Sequence, residues 1–214
     1  MRIALIGATG LIGRSLVPML ARHDLLTLGR RESLPFMPHH REKVGPIEDW
    51  PGLLEGDGVD VAIAAIGTTW AKVRDWEKFE AIDRHGVTSF AEGARRAGAR
   101  QLIVISSALA DADSRNRYLA IKGRMEADVR KLGFERVDVV RPGLLRGKRG
   151  SDRRPGERFG ILISPLLNLL LRGPLEKYQA IDAEQVARAV AALVGKAGGG
   201  VFIHHNRELK ALGE

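Results

Sequence analysis

The fold is decided by the start of the chain, where the apolar run Arg2–Ile6 leads into Gly7-Ala8-Thr9-Gly10-Leu11-Ile12-Gly13. A strand, a glycine-rich turn and a helix start, in this order, bring free backbone N–H groups and the positive helix end to a pyrophosphate. Gly7 permits the tight turn, Gly10 has no Cβ where phosphate must approach, and Gly13 lets the helix pack close to the strand. The GxxGxxG spacing leaves open that these are only turn and packing glycines, but their position after the first strand favours a dinucleotide site.

Strand-like and helix-like segments alternate along the rest of the chain. Apolar runs occur at 3–6, 25–28, 59–66, 102–105 and 137–140, and helical periodicity occurs at 11–21, 76–97 and 118–132. Gly98 and Gly133 stand where two of these helices should end. The pattern predicts an α/β doubly wound parallel sheet, the Rossmann fold, in one domain over 1–214. We expect a long loop at 143–160 and a small C-terminal cap on the substrate side.

The composition limits the classes of function. With 44% hydrophobic and 28% charged residues, the chain is typical of a soluble globular protein, and zero cysteines exclude disulfides, thiolate zinc sites and cysteine nucleophiles. The apolar stretch 161–171 is too short to span a bilayer, which needs about 20 helical residues. His204 and His205 have no metal-ligand spacing around them, so we expect no metal. The chain starts directly in a strand without an export signal, which predicts a cytoplasmic location.

The charge of the chain raises the question of acidic partners. The formal net charge is +8, but no helix-turn-helix or array of stacking aromatics accompanies it, so the sequence does not favour nucleic acid. A loop with several arginines and the apolar stretch at 158–172 leave open a protein partner or a homodimer. A small-molecule carbonyl or alcohol is the partner that the remaining motifs favour.

The end of the second apolar run indicates which nucleotide would bind. An acidic residue there accepts hydrogen bonds from the adenosine ribose of NAD, whereas cations bind the 2′-phosphate of NADP. Here Gly29 is followed by Arg30 and Arg31, and no carboxylate comes before Glu32. Because a guanidinium can bind phosphate with two hydrogen bonds, NADP(H) is favoured and NAD is the alternative. The alternative interpretation is that the two arginines only solvate a surface loop of a basic protein.

A tyrosine and a lysine four residues apart form the candidate catalytic pair. Tyr118 and Lys122 lie in a helical pattern that places both side chains on one face, and an ammonium beside a phenol favours the phenolate. Ser106 and Ser107 follow the run 102–105, at the edge of the sheet where ligands gather. We expect Ser107 to donate to a substrate oxygen and Ser106 to satisfy backbone groups at the strand end. An unrelated surface tyrosine and lysine are the alternative.

Seven motifs in the same order resemble the atypical short-chain dehydrogenase/reductase family, within it the branch of the Tat-interactive oxidoreductases and their bacterial relatives. They are GATGLIG at Gly7, GRR at Gly29, IGTT at Ile66, SSALAD at Ser106, YLAIKGRMEADV at Tyr118, RPGLL at Arg141 and RPGERF at Arg154. The resemblance covers nearly the whole chain. It implies an NADP(H)-dependent oxidoreductase in which hydride moves between the cofactor and a small carbonyl or alcohol.

The resemblance also implies roles for individual residues. It assigns the pyrophosphate to the loop from Thr9 through Gly10 and Leu11 to Ile12, the 2′-phosphate to Arg30 and Arg31, and the lining of the cofactor site to Ile66 and Gly67. Tyr118 is the implied general acid and base, and Lys122 also binds the nicotinamide ribose. Pro142, in the rigid turn after the run 137–140, faces the flat ring, and Leu145 and Arg154 are further implied contacts.

Two departures from the family pattern matter. Asp83 stands where many extended short-chain enzymes have an asparagine, and the large C-terminal substrate domain of nucleotide-sugar epimerases and dehydratases is missing. The second departure makes nucleotide-sugar chemistry less favoured. It also motivates another class of function, an NADPH-binding regulatory or scaffold protein with little or no turnover.

Overall fold

One parallel sheet organises the computed structural model, which describes residues 1–32, 38–68, 70–147 and 179–214. Its strand order is β3-β2-β1-β4-β5-β6-β9, and β7 and β8 form a separate parallel pair. The strands are β1 (Arg2–Ile6), β2 (Asp24–Gly29), β3 (His40–Val44), β4 (Val61–Ala64), β5 (Gln101–Ile105), β6 (Arg136–Val140), β7 (Leu145–Arg146), β8 (Ile181–Asp182) and β9 (Gly200–His204). In register, Leu5 of β1 lies between Thr27 of β2 and Ile63 of β4.

Helices connect the strands on both faces of the sheet. They are α1 (Leu11–Met19), α2 (Trp50–Leu53), α3 (Trp70–Val73), α4 (Trp76–Glu80), α5 (Val87–Arg96), α6 (Arg117–Val129), α7 (Ala183–Leu193) and α8 (Asn206–Leu212). A 3₁₀ turn, Ile47–Asp49, precedes α2, and a π-helical turn, Ala81–Gly86, joins α4 to α5. The predicted helix at 76–97 is therefore continuous but contains one wider turn.

The hydrophobic core has two layers, one on each face of the sheet. On β1, Leu5 packs with α1, α7 and α8, whereas Ile6 points to the other face and packs with α2, α5 and α6. Adjacent residues of a strand point to opposite faces, so continuous apolar runs are expected where both faces are covered. The predicted doubly wound parallel sheet is confirmed.

Some boundaries differ from the predicted ones. The helices before β5 and β6 end as expected, because Gly98 and Gly133 have positive φ angles of 103° and 74°. The strand predicted at 59–66 is shorter, and β3 was not predicted because its sequence, HREKV, has no apolar run. The predicted loop at 143–160 contains the short strand β7. Residues 148–160 of that loop, which include Arg154, the stretch 161–171 and the predicted cap lie outside the described residues.

The closest approach of a helix to the sheet is at the first turn of α1. A Cβ atom at Gly13 would collide with the carbonyl oxygen of Gly7 and would lie 2.8 Å from the backbone of Ala8. Gly7 itself has φ of +86°, and a Cβ there would collide with the backbone of Ala65 after β4. The absence of these side chains therefore lets α1, β1 and the loop after β4 meet at one point.

We expect Gly13→Ala to lower the free energy of unfolding by about 1–3 kcal/mol, because backbone atoms rather than flexible side chains must move. Gly52→Ala is the matched control: Gly52 lies in α2 with nothing within 4 Å of the added Cβ. It should be neutral or raise stability by up to about 1 kcal/mol, because alanine favours helix. Urea unfolding measures both variants, and equal effects at the two positions would contradict the close approach.

Candidate active site

The loops that follow β1, β2, β4, β5 and β6 all leave the carboxyl edge of the sheet. The chain passes from β1 outward to β2 and β3 and then crosses to β4 on the other side of β1. Ligands of doubly wound sheets bind at such a reversal of strand order. The glycine loop lies at this point, against Ala65 at the end of β4.

The glycine loop presents backbone donors without side chains in front of them. Gly10 is the N-cap of α1, and in the described structure no side chain caps this helix and no acidic residue lies in its first turn. The Gly10 N–H donates to the Gly7 carbonyl at 2.9 Å, and a Cβ on Gly10 would lie 3.1 Å from that oxygen. Thr9 is exposed, whereas Ile12 is buried. This cradle fits a pyrophosphate, because the first-turn N–H groups and the helix dipole favour an anion there.

The predicted specificity residues follow the neighbouring strand. Arg30 and Arg31 are both exposed immediately after β2, which pairs with β1 along its whole length. On the other side of β1, Ile66 is partly buried and Gly67 is exposed after β4. The arginines and these two residues therefore flank the glycine loop from opposite sides.

One face of α6 carries three functional groups at intervals of four residues. Asn116 caps the helix, because its side chain accepts hydrogen bonds from the N–H groups of Tyr118 and Leu119 at 3.0 and 3.3 Å. Tyr118 is partly buried at the start of the helix, and one and two turns further along, Lys122 and Glu126 are only 3% and 1% exposed. The chain therefore buries two charged groups beneath its candidate catalytic tyrosine.

Asp83 provides the countercharge of Lys122. The Lys122 ammonium lies 2.7 Å from Asp83 Oδ1, and Asp83 Oδ2 accepts a hydrogen bond from the Thr68 N–H at 2.8 Å. Burial lowers the pKa of Lys122, but the charges of Asp83 and then Tyr118 outweigh burial and raise that pKa above its ordinary value. This environment favours the charged form of Lys122, one helical turn from Tyr118. Asp83 lies in the π-helical turn, a distortion that often marks functional sites.

Glu126 ties together the ends of β5 and β6. The Ser106 hydroxyl donates to Glu126 Oε1 at 2.5 Å, and Arg141 donates to both carboxylate oxygens, at 2.9 and 2.6 Å. Our expectation that the Ser106 side chain satisfies backbone groups was wrong, because its hydroxyl donates to the buried Glu126 carboxylate on α6. The cluster fixes the positions of Ser107 and Pro142, the next residues along the two strands.

The remaining predicted residues have the following places. Ser107 is partly exposed and Pro142 is buried, and the Ala108 N–H donates to the Pro142 carbonyl at 3.1 Å. Leu145, like Leu11, is partly buried and packs against the core layer that contains α1. A Cβ on Gly67 would lie 4.0 Å from the Lys122 ammonium nitrogen, so the loop after β4 meets the candidate catalytic lysine. Of the predicted site, only Arg154 lies outside the described residues.

A row of four aromatic rings extends from Tyr118, and the sequence analysis missed it. Phe79 meets Tyr118 edge to face at 5.6 Å between ring centroids, and Trp76 meets Phe79 in the same way at 5.7 Å. Trp70 then stacks on Trp76 at 4.3 Å, with 21° between the ring planes. We call these residues the aromatic row. Trp76 and Phe79 share a helix face in the sequence, but nothing in the sequence brings them to Tyr118.

Comparison with solved structures establishes the fold class. No known protein-family profile matches the chain. The Bordetella bronchiseptica enzyme WbmH in complex with NAD⁺ is similar with a TM-score of 0.72 and 14% identity over 96% of this chain and 75% of that one. The oxidoreductase ylbE of Lactococcus lactis gives 0.69 and 18% over 99% and 96%, and an NAD-bound short-chain dehydrogenase/reductase superfamily protein of Agrobacterium tumefaciens gives 0.68 and 16% over 96% and 77%. The chain has the Rossmann fold that these structures share.

Curated relatives show the family. Protein FMP52 of Candida albicans is 32% identical in an alignment of 196 positions, and the alignment covers 86% of this chain and 84% of the relative. The corresponding protein of Aspergillus niger is 30% identical in an alignment of 234 positions, gaps included, which covers 99% of this chain and 98% of that relative. The chain belongs to the FMP52 family.

The expected cytoplasmic location is wrong on this comparison, because the FMP52 relatives from Candida albicans, Aspergillus fumigatus and Aspergillus niger are all named as mitochondrial proteins. The expectation rested on the absence of an export pattern, which says nothing about other destinations. Among the helices that the structure describes, none is both long and apolar enough to cross a membrane.

We expect Asp83→Ala to lower the free energy of unfolding by about 3–5 kcal/mol, because it leaves a buried ammonium without a countercharge. Asp83→Asn keeps the shape and an acceptor for the Thr68 N–H, so its loss should be smaller. The control is Glu135→Ala, which breaks the exposed pair with Arg100 and should cost far less, because water screens both charges. Urea unfolding gives the order, and an Asp83→Ala variant as stable as Glu135→Ala would contradict the role of the pair.

Proposed function

We propose that this protein is an NADP(H)-dependent oxidoreductase of the atypical short-chain dehydrogenase/reductase type, built as one NAD(P)-binding domain. The observation that carries the proposal is the Lys122 ammonium, which is buried, paired with Asp83 and one helical turn from Tyr118. A structural lysine gains little from burial, since desolvation opposes its charge. A fixed cation beneath a phenol at the ligand edge of a Rossmann sheet is instead suited to proton transfer.

The cofactor would lie along the carboxyl edge. The loop from Gly7 to Gly13, with Thr9, Gly10, Leu11 and Ile12 between them, would hold the pyrophosphate. Arg30 and Arg31 would bind the 2′-phosphate and select NADP over NAD. Ile66, Gly67, Pro142 and Leu145 would line the site, Arg154 would extend it, and Tyr118 and Lys122 would contact the nicotinamide ribose.

The residues of the site divide the chemistry between them. A bound NADPH, held by the glycine loop and by Arg30 and Arg31, would supply hydride for the reduction of a small carbonyl substrate. The Tyr118 hydroxyl donates its proton to the carbonyl oxygen, and Lys122 stabilises the phenolate that this transfer leaves. The Ser107 hydroxyl donates a hydrogen bond to the same oxygen as negative charge develops there. The reverse sequence oxidises an alcohol.

A second candidate is an NADPH-binding regulatory or scaffold protein with a protein partner or a second copy of itself. This chain spans 81% of the UDP-glucose 4-epimerase of Thermotoga maritima and 80% of the dehydratase DesIV, both similar structures. The part of those enzymes that it lacks makes sugar-nucleotide epimerisation or dehydration the least favoured activity. The finer resemblance to the Tat-interactive branch fits either candidate.

We expect the double variant Arg30→Ala/Arg31→Ala to lose NADPH affinity by about 10- to 100-fold, the loss typical of hydrogen bonds to a charged group. NADH affinity should stay unchanged, since NADH has no 2′-phosphate. Arg95→Ala/Arg96→Ala is the control: it removes the same charge from the last turn of α5, which precedes β5 and lies at the opposite edge of the sheet. Calorimetric titration tests this, and the phosphate contact is refuted if both double variants bind NADPH equally.

We expect Tyr118→Phe to reduce NADPH-dependent carbonyl reduction by about 100- to 10,000-fold, the usual contribution of a positioned acid. The ring stays in place against Phe79, so stability should barely change, and NADPH affinity should fall by no more than about tenfold, the loss of one hydrogen bond to the ribose. Steady-state kinetics across a panel of carbonyls measures this. A parent protein that binds NADPH tightly but reduces none of them would support the sensor instead, and full activity in the variant would exclude Tyr118 as the acid.

A further inference from the structure

We propose that Trp70, the exposed end of the aromatic row, forms one wall of the substrate site and selects a substrate whose carbonyl is attached to a flat aromatic ring, an aryl ketone or aryl aldehyde. This inference rests on the proposed function and adds the substrate class. In the reduction, hydride from NADPH adds to the carbonyl carbon and the Tyr118 proton goes to the oxygen, giving a benzylic alcohol and NADP⁺. Tyr118 regains its proton from solvent.

The row runs from the interior to solvent, which distinguishes it from ordinary core packing. Phe79 is fully buried, Trp76 and Tyr118 are partly buried, and Trp70 is 44% exposed. Aromatic residues make up only 5% of the chain, and two of its three tryptophans belong to the row. Much of the small aromatic content of the chain is therefore grouped with Tyr118, the tyrosine that the proposed chemistry uses.

The contacts within the row leave Trp70 as the ring with open surface. Trp76 has Trp70 stacked on it, and the Arg117 guanidinium lies over its ring at 5.5 Å from the centroid. Stacking on Trp76 therefore fixes the orientation of the Trp70 ring in the unliganded protein. A pre-positioned ring favours another ring by offset stacking or edge-to-face contact, and it loses little side-chain freedom when that ring binds.

Exposed apolar side chains surround the same edge of the sheet. Leu109 and Leu144 are 45% and 60% exposed. Leu109 follows β5, two residues beyond Ser107, and Leu144 follows β6, two residues beyond Pro142. Trp70 follows β4, three residues beyond Gly67. Three neighbouring strand ends therefore each present one large apolar side chain beside a predicted site residue. This surface fits an apolar substrate and offers little to a sugar nucleotide.

The test compares two ketones that differ only in the ring, acetophenone and cyclohexyl methyl ketone. We expect the parent to favour acetophenone in kcat/KM by about fivefold or more, the size of one good aromatic contact. Trp70→Ala should remove most of this preference, and Trp70→Phe, which keeps a flat ring, should retain it. The matched control is Val201→Ala, since Val201 is 48% exposed on β9, at the edge of the sheet away from the row.

A binding measurement separates failure of this inference from failure of the proposed function. Calorimetric titration of 1-phenylethanol and 1-cyclohexylethanol into the NADPH-bound protein requires no turnover. We expect the aryl alcohol to bind about fivefold tighter, and Trp70→Ala to abolish the difference. If ketone reduction fails but this difference holds, only the proposed chemistry is wrong.

Three results would overturn the inference: equal affinity for the two alcohols, binding of neither, or an unchanged preference in Trp70→Ala. Sedimentation of the parent and of Trp70→Ala adds one more outcome. If the variant loses a dimer and keeps its ligand preference, the exposed tryptophan serves a contact between copies of this chain rather than the substrate.

Discussion

The burial of two charged groups on one face of α6 constrains the site more than any other interaction. Lys122 and Glu126 are almost fully buried, and an unpaired charge in that position would cost several kcal/mol. The helix can therefore pack against the sheet only where Asp83 meets the ammonium and where Ser106 and Arg141 meet the carboxylate. These ion pairs and hydrogen bonds connect α6 to the π-helical turn and to the ends of β5 and β6. The exposed residues of the candidate site are attached to these buried groups.

The two halves of the site are built in different ways. The cofactor half uses backbone and missing side chains: Gly7 and Gly13 let α1 approach β1 and β4, and Gly10 leaves the helix N-terminus open. The proposed substrate half would use side chains, with Tyr118 at its centre and the aromatic row in contact with it. Backbone recognition of a pyrophosphate is shared by many Rossmann proteins, whereas side chains set which substrate is accepted. The specific properties of this protein therefore belong to the second half.

Local patterns of the sequence were enough for the sheet and for the glycine loop between β1 and α1. Apolar runs and helical periodicity report burial directly, so the central strands and the crossover helices were predicted near their observed bounds. The strand β3 was not predicted, because an edge strand needs no apolar run and its sequence, HREKV, has none. Asp83 was noticed only as a departure from a family pattern, since its pairing with Lys122 joins residues far apart in the chain. The aromatic row was missed for the same reason: the ring contacts depend on how two helices pack.

The packing of those two helices links the buried charge pair to the aromatic row. Phe79 and Asp83 are four residues apart on the α4–α5 helix, and Tyr118 and Lys122 are four residues apart on α6. Phe79 contacts Tyr118 and Asp83 pairs with Lys122, so two matched contacts, one apolar and one ionic, set the same register between the helices. Arg84 extends the match through its ion pair with Asp128. Because a shift by one residue would break the ring contact and unpair a buried charge at once, the position of the phenol is held from two sides. The pairing of Lys122 with Asp83 therefore also holds Tyr118 against the aromatic row.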